Sequence, residues 1–479
     1  MTPALSLRGI RKTFPGVVAV DDVDLDLYAG EIHALVGENG AGKSTLAAIA
    51  FGELQPDRGD IQSSGSVGLV HQHFELAGRL RVWQNILLGR EPRRGWRIDV
   101  NAARMRVRQL ASQNNLAIEP DAFIDELPVG VQQRVELLRE LERQPAVLLL
   151  DEPTSALAPA EIDGFFSTIV ELAQRGTAML IVTHKLQEVI SYSSRVSVMR
   201  HGRIVESRRT AETTIDEIAR AMVGGTLPKI AARAAVAATP CLSVQDVHAG
   251  RAENSVNGVT FDVRSGEIVG IAGVEGNGQS ALADAIAGMV PYSGSTTFAQ
   301  ESENVSRGKT RIGVIPQDRH IEGLVLNWSI TWNAILGRQH MPGIRHGLLL
   351  DLPRARRDAR SIVERFDIRA PSIDVRVRTL SGGNQQKLVV GRALIDEPRF
   401  LLAYNPTRGI DVGAAALVQS RLIEARNAGT AVLLISFDLD EILALSDRVL
   451  VMYRGSIVGR FDRADLDRGS IGRLMAGSS

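Results

Sequence analysis

The chain has a single cysteine, Cys241, in 479 residues. An internal disulfide is excluded, and a reducing compartment fits. A lone thiol beside Pro240 reads as inert. Net charge is lacking too: 55 basic side chains balance 55 acidic ones. That balance removes the electrostatic footprint of a bulk nucleic-acid binder. Long apolar runs are missing. None approaches the ~18 residues that a membrane-spanning helix needs. The longest, such as Ala146-Val147-Leu148-Leu149-Leu150, suit buried strands. The N-terminus, Met1-Thr2-Pro3-Ala4-Leu5, lacks the charged start and apolar core of a secretory signal. Any membrane role is expected to be peripheral or through a partner.

What is present begins with length. A chain of 479 residues with 44% hydrophobic content predicts two to four domains with sizeable cores. The most informative stretch is Gly37-Glu38-Asn39-Gly40-Ala41-Gly42-Lys43-Ser44-Thr45, which fits G-x-x-x-x-G-K-[ST]. It follows the apolar run Ile32–Val36 and precedes Leu46–Ala50, so it reads as strand, loop, helix. Glycines let backbone N–H groups converge on phosphate oxygens, and a helix N-terminus adds partial positive charge. Lys43 is placed to neutralise the β- and γ-phosphates, and the Ser44 hydroxyl to ligate Mg²⁺.

The chain is written twice. Ala29-Gly30-Glu31-Ile32 recurs 236 residues later as Ser265-Gly266-Glu267-Ile268, and Gly37–Ser44 recurs at the same spacing as Gly273-Val274-Glu275-Gly276-Asn277-Gly278-Gln279-Ser280. Pro153-Thr154-Ser155-Ala156-Leu157 has a shifted counterpart in Pro406-Thr407-Arg408-Gly409-Ile410. The expected organisation is a first domain over residues 1–226, an alanine-rich linker over 227–240 and a second domain over 241–479. A short helix is the other reading of the linker. Strands alternate with helices in both halves, which implies a mostly parallel α/β sheet.

Further candidates lie at strand ends. Val147-Leu148-Leu149-Leu150-Asp151-Glu152-Pro153 reads as a buried strand closing on two carboxylates, where open α/β sheets place their ligands. Asp151 is placed to hold Mg²⁺ through its water shell, and Glu152 to polarise an attacking water. His184 ends the strand Ile181-Val182-Thr183 and can reach a γ-phosphate, although a lone histidine is more often a surface or core residue. Gln72 follows Leu69-Val70-His71 and can touch Mg²⁺ or water. Phe14 can stack on adenine or fill a core. Leu380-Ser381-Gly382-Gly383-Asn384-Gln385 before the apolar Leu388-Val389-Val390 makes a second anion nest at a helix start, or an ordinary capped helix.

The set Gly37–Thr45, Gln72, Asp151-Glu152, His184 and Leu380–Gln385 resembles an ATP-binding cassette (ABC) ATPase, over nearly the whole chain. Two cassettes without membrane spans are similar to the tandem ATPase subunits of bacterial ribose, galactoside and nucleoside importers. The resemblance implies two tandem P-loop (RecA-like) α/β domains, each with a helical subdomain and a small antiparallel β subdomain. It implies ATP and Mg²⁺ as cofactors, and two permease subunits and an extracytoplasmic binding lipoprotein as partners. It places the chain peripherally on the cytoplasmic side of the cell membrane, with no nucleic acid involved. Each ATP is expected between the phosphate loop of one cassette and the Leu-Ser-Gly-Gly segment of the other. Ser381, Gly382, Gly383 and Asn384 then join Phe14 and Gly37–Thr45 in binding nucleotide. The helical insertions, roughly 80–140 and 330–390, and the loops at Gln72 and Gln317 are expected to pass motion to the permeases.

The departures from that pattern sort. Gln279 replaces the loop lysine, Tyr404 and Asn405 stand in the places of Asp151 and Glu152, and Phe437 in that of His184. No aromatic near Ala249-Gly250 matches Phe14. The first signature reads Leu127-Pro128-Val129-Gly130 and lacks the Ser-Gly-Gly nest. All the losses fall on one composite site, which predicts one hydrolytic site and one silent one. For cargo, Leu127-Pro128-Val129-Gly130-Val131-Gln132-Gln133-Arg134-Val135-Glu136 resembles the variant signature of the purine-nucleoside group. Pro316-Gln317-Asp318-Arg319-His320 with Gly323-Leu324-Val325 does so too, with Gln317 where Glu is usual. Simple sugars are the alternative cargo. A tandem-cassette translation factor is a rival of another class, but it calls for a long charged linker and two intact sites. A DNA-repair ATPase calls for cysteine-rich zinc modules, which a single Cys excludes.

Overall fold

The apolar runs become the middle of one open sheet in each half. The computed structural model describes residues 2–71, 75–155, 157, 159–225, 231–236, 239–251, 254–299, 312–341, 343–346, 349–475 and 477. The chain divides into two compact units, residues 1–226 and 227–479.

In the first unit the large sheet runs in the order Arg203–Arg209, Arg195–Arg200, Ile32–Gly37, Ala178–Thr183, Val147–Asp151, Val67–Val70. All neighbours are parallel except the edge pair 195–200 and 203–209. The three inner strands, 32–37, 147–151 and 178–183, are buried at every residue. Burial on both faces is why they read as continuous apolar runs rather than alternating ones. Leu35, Leu149 and Leu180 pack on one side with Leu5 and Leu7 of a small antiparallel sheet, 17–27, 5–14 and 58–63. Leu148, Leu150 and Ile181 pack on the other with Val135, Phe166 and Ile169. A helical segment, Val82–Ile86, Val100–Gln113 and Val129–Leu141, lies between the strands 67–70 and 147–151 in sequence.

The second unit repeats the plan. Its large sheet is ordered Ile312–Ile315, Phe400–Tyr404, Ala431–Ser436, Ile268–Ala272, Arg448–Tyr453, Ser456–Asp462, and its small sheet 254–264, 240–251, 292–298. Helices Ile330–Ala334, Leu352–Arg365 and Gly382–Leu394 form its helical segment. The expected fold is the observed one: two α/β phosphate-loop domains, each carrying a helical and a small antiparallel β part.

The described linker residues 231–236 are neither helix nor strand. They run against the second unit: Arg233 donates to Leu445 O and to Asp447 at 2.9 Å, and Asn427 donates to Ala232 O at 2.8 Å. Cys241 is buried, with its Sγ 3.5 Å from Arg399 O, and burial pushes the thiol pKa up, so it stays neutral and unreactive. Among the described residues, no helix is long and apolar enough to cross a membrane.

Candidate functional site

The strand Ile32–Gly37 feeds the loop that opens the helix Lys43–Phe51. Two glycines there are obligatory. A methyl on Gly37 would lie 2.2 Å from Met199 O, and one on Gly42 would lie 2.1 Å from Ala19 O. Gly40 and Gly42 also take φ of 82° and 104°, backbone that glycine adopts without strain. The turn is closed by Ala41 N donating to Glu38 O at 3.0 Å. Asn39 is exposed and Thr45 half-buried, the first at the loop's tip and the second inside the helix's first turn. Lys43 is buried, and its Nζ donates to Gly37 O at 2.8 Å and Glu38 O at 3.0 Å. The ammonium therefore lies folded across the loop, hydrogen-bonded to two of its carbonyls. Burial lowers its pKa, opposed by Glu152 and Asp151.

The two carboxylates close strand Val147–Asp151 at the same sheet edge. Asp151 is buried, and burial raises its pKa, while a hydrogen bond from Ser44 pulls it down. Its Oδ1 is buried without a hydrogen-bond partner. Glu152 turns the chain sharply. Its φ is 47°, left-handed for a non-glycine residue, and its N still donates to Val182 O at 2.8 Å. Such a conformation costs of order 1–3 kcal/mol and tends to mark working sites. His184 Nδ1 lies 3.0 Å from Glu152 Oε1. That bond is the chief reason the Glu152 pKa is lowered, against the push of burial. The carboxylate is thus ionised and oriented, as a proton acceptor must be.

Below the carboxylates lies a polar frame. Glu188 accepts from Thr154 Oγ1 at 2.7 Å, and Lys185 Nζ donates to Thr154 O at 3.0 Å. Gln133, on helix Val129–Leu141, donates to Pro153 O. Phe14 ends strand Leu5–Phe14 at 44% exposure, with Lys12 Nζ 6.0 Å from its ring centroid. It is available for stacking rather than consumed by the core. Gln72 lies outside the described residues.

The second unit keeps the backbone of this site and replaces its chemistry. Gly276 and Gly278 repeat the positive φ at 93° and 98°, and Asn405 repeats that of Glu152 at 45°, with its N donating to Ile435 O at 2.7 Å. Gln279 is buried and donates to Val274 O at 3.1 Å. Tyr404 carries its hydroxyl to Ser280 Oγ, 2.9 Å away, so a neutral phenol meets the loop hydroxyl where Asp151 meets Ser44. Burial pushes the Tyr404 pKa up to about 12, which keeps it neutral. Phe437 packs edge-on against Tyr404 at 5.9 Å. The frame below survives: Thr407 donates to Glu441 at 2.8 Å and Gln386 to Pro406 O at 2.7 Å.

The two signature segments differ at the helix start. Ser381 caps helix Gly382–Leu394, its Oγ accepting from Asn384 N at 3.5 Å and from Asn384 Nδ2 at 3.0 Å. Helix Val129–Leu141 starts at Pro128 with no side-chain cap, and Val129 stands 46% exposed where Gly382 stands in the second unit.

Sequence reasoning missed the left-handed residues at 152 and 405, since neither type announces positive φ. It also missed the threonine–glutamate frame, whose partners lie 34 residues apart.

Fold and site define a phosphate-loop nucleoside triphosphatase whose fold is built twice in one chain. The ABC transporter family matches residues 20–155 and 256–408. The guanosine import ATP-binding protein NupO of Bacillus subtilis is 40% identical, over 100% of this chain and 98% of its own. The nucleoside import ATP-binding protein NupA of Lactococcus lactis is 38% identical, over 99% and 98%. The ribose import ATP-binding protein RbsA 1 of Streptomyces avermitilis is 37% identical, over 99% and 94%. Among solved structures, an archaeal ribosome recycling factor in complex with the ribosomal stalk protein is similar in fold: TM-score 0.69 at 18% identity, covering 98% of this chain and 92% of that one. The chain belongs to the ABC transporter family, as a tandem-cassette import ATP-binding protein. It is an ATPase that works with ATP and Mg²⁺ and couples hydrolysis to import.

The first site fits those ligands. Among the described residues no group of three His, Cys, Asp or Glu side chains is arranged to cage a metal. Mg²⁺ does not need one: it keeps several waters and takes one or two protein ligands plus phosphate oxygens. Ser44 and the partnerless Oδ1 of Asp151 would be the residues to hold it. When bound, the ion offsets charge on the phosphate oxygens.

Proposed function

We propose that the chain powers nucleoside uptake from one competent ATP site, joining the first unit's phosphate loop and carboxylates to the second unit's Ser381–Asn384 turn. The observation that carries this reading is the sorting of the replacements. Lys43, Ser44, Asp151, Glu152 and His184 are all present in the first unit, and the capped Ser-Gly-Gly helix in the second. Gln279, Tyr404, Asn405 and Phe437 fall together in the second unit, and the uncapped Pro128-Val129 start in the first. Random loss scatters; these losses leave one complete set and one empty one.

In the competent site each group has one task. The loop amides and Lys43 hold the phosphates, Phe14 stacks on the base, and Ser44, Asp151 and Gln72 serve the ion. Glu152, oriented at Oε1 by His184, takes the proton from the attacking water. Ser381, Gly382, Gly383 and Asn384 close over the terminal phosphate. In the second site Ser280 bonds to the Tyr404 phenol, which would make a poorer ion ligand than a carboxylate, and Gln279 offers hydrogen bonds without charge. A charge-assisted bond is worth ~1.5–3 kcal/mol, and a lost general base alone costs about 10²–10⁴ in rate. That site is silent.

The partners in this reading are two membrane permeases and an extracytoplasmic binding lipoprotein, with the chain on the cytoplasmic face. The relatives named above are guanosine, nucleoside and ribose import proteins at 40%, 38% and 37% identity, too close together to decide cargo. The signature run 127–136 and the 316–325 segment favour nucleosides. The translation-factor reading rests on a fold likeness alone, and the linker here is short and alanine-rich. The test is uptake of labelled purine nucleosides and of ribose or galactosides in cells with and without the chain. Nucleoside uptake that depends on the chain is the expected result; dependence of sugar uptake alone overturns the cargo assignment.

A further inference from the structure

Arg319 is set against the signature turn of the second unit, and among the described residues its guanidinium hydrogen-bonds to backbone carbonyls rather than to a carboxylate. It opens a π-helical turn, residues 319–323, just after Gln317, and such turns are frequent at functional sites. Asp318 acts on it through charge without a hydrogen bond; that carboxylate accepts from His320 N at 2.7 Å and Ile321 N at 3.1 Å. Arg319 Nη1 donates to Arg408 O at 2.9 Å and Nη2 lies 3.5 Å from Gly409 O. Its Nε is buried with no hydrogen-bond partner. A methyl built on Gly382 would lie 3.0 Å from Arg319 Nη2. The guanidinium therefore sits where the side chain of residue 382 would otherwise be, one residue from Ser381. The neighbouring His320 holds the same turn, with Nε2 2.8 Å from Gln385 Oε1, and Gln385 donates to Leu380 O at 3.2 Å.

The two halves differ here in a paired way. At the positions matching Arg319 and Gly382, the first half has Phe74 and Val129. The cation and the gap that admits it occur together or not at all, and they occur on the side that also carries the Ser-Gly-Gly nest.

We propose that Arg319 is a phosphate-binding residue of the competent site, adding a positive charge to the Ser381–Gly383 amides where the nucleotide's terminal phosphate is held. This rests on the composite-site reading above. Arg319 gives its hydrogen bonds to two neutral carbonyls, and a charge-assisted bond to an incoming anion is the stronger kind. Its effect grows with the number of charges on the phosphate end, so it favours ATP over ADP.

The test uses the full chain with three substitutions, each checked by thermal melting. Arg319→Gln is expected to weaken ATP binding and raise the KM for ATP about tenfold, the loss of roughly one charge-assisted bond. ADP affinity is expected to change little, so the ATP-to-ADP preference collapses. Arg319→Lys keeps the charge and loses the fork, and is expected to restore most of that preference. A purely structural clamp predicts the reverse, with Lys as poor as Gln and both nucleotides affected alike; that pattern overturns the proposal. Ser381→Glu separates the two readings by placing a carboxylate at the turn. If it leaves turnover intact, the composite site itself is wrong. If it abolishes turnover while Arg319→Gln matches the wild type, the composite site stands and Arg319 has no part in it.

Discussion

At the scale of single residues, the site turns on Glu152, held at a backbone angle of 47° and bonded to His184 at 3.0 Å. The residue types were legible in the sequence because burying a carboxylate pair at the end of an apolar strand is costly unless a ligand or partner compensates it. The bond was not, because it joins positions 32 apart through sheet pairing. It has a consequence with a definite sign. The His184 bond lowers the Glu152 pKa. Removing it in His184→Ala lets burial push that pKa up, so the acidic limb of the pH–rate profile moves to higher pH. Turnover at neutral pH is expected to fall by ~10² or more, as losses of acid–base machinery do. Phe437→Ala is expected to leave hydrolysis almost unchanged. Tyr404 shows the same limit of legibility. The sequence shows a missing carboxylate; only the fold shows that the phenol reaches Ser280, 124 residues away.

Among the elements, the inner strands were the easiest to read, since burial on both faces demands unbroken apolar runs. His33 is the polar interruption in the run 32–36. It is 2% exposed, with Nε2 2.8 Å from Ser197 Oγ. Burial chiefly depresses its pKa to about 4 from 6.5. An unfolded chain takes up that proton near pH 6.5 and the folded one does not. Stability from this group is therefore full above pH 6.5 and is lost as pH falls toward 4. The shift corresponds to ~3 kcal/mol over that window. Denaturant midpoints of wild type and His33→Gln, compared at pH 7 and pH 4.5, check this: the variant is expected to lose less stability on acidification. The short elements were harder to read. The π turn at 319–323 and the strand-to-turn switch at 152 depend on contacts from other parts of the fold, which local sequence does not record.

At the scale of the whole molecule, duplication was plain from the 236-residue spacing, and so was the asymmetry between the copies. The structure adds that the second unit keeps the sheet order, the loop's φ values, the left-handed residue at 405 and the Thr407–Glu441 frame, while the counterparts of Lys43, Asp151 and Glu152 carry no charge. Scaffold and chemistry have been separated. The most direct measurement is steady-state ATP hydrolysis by the full chain carrying Glu152→Gln, set beside Asn405→Ala, with ATP binding measured for both. The account predicts that Glu152→Gln binds ATP and turns over at under about one hundredth of the wild-type rate, while Asn405→Ala hydrolyses at close to that rate. Substantial turnover in Glu152→Gln, or a large loss in Asn405→Ala, contradicts it.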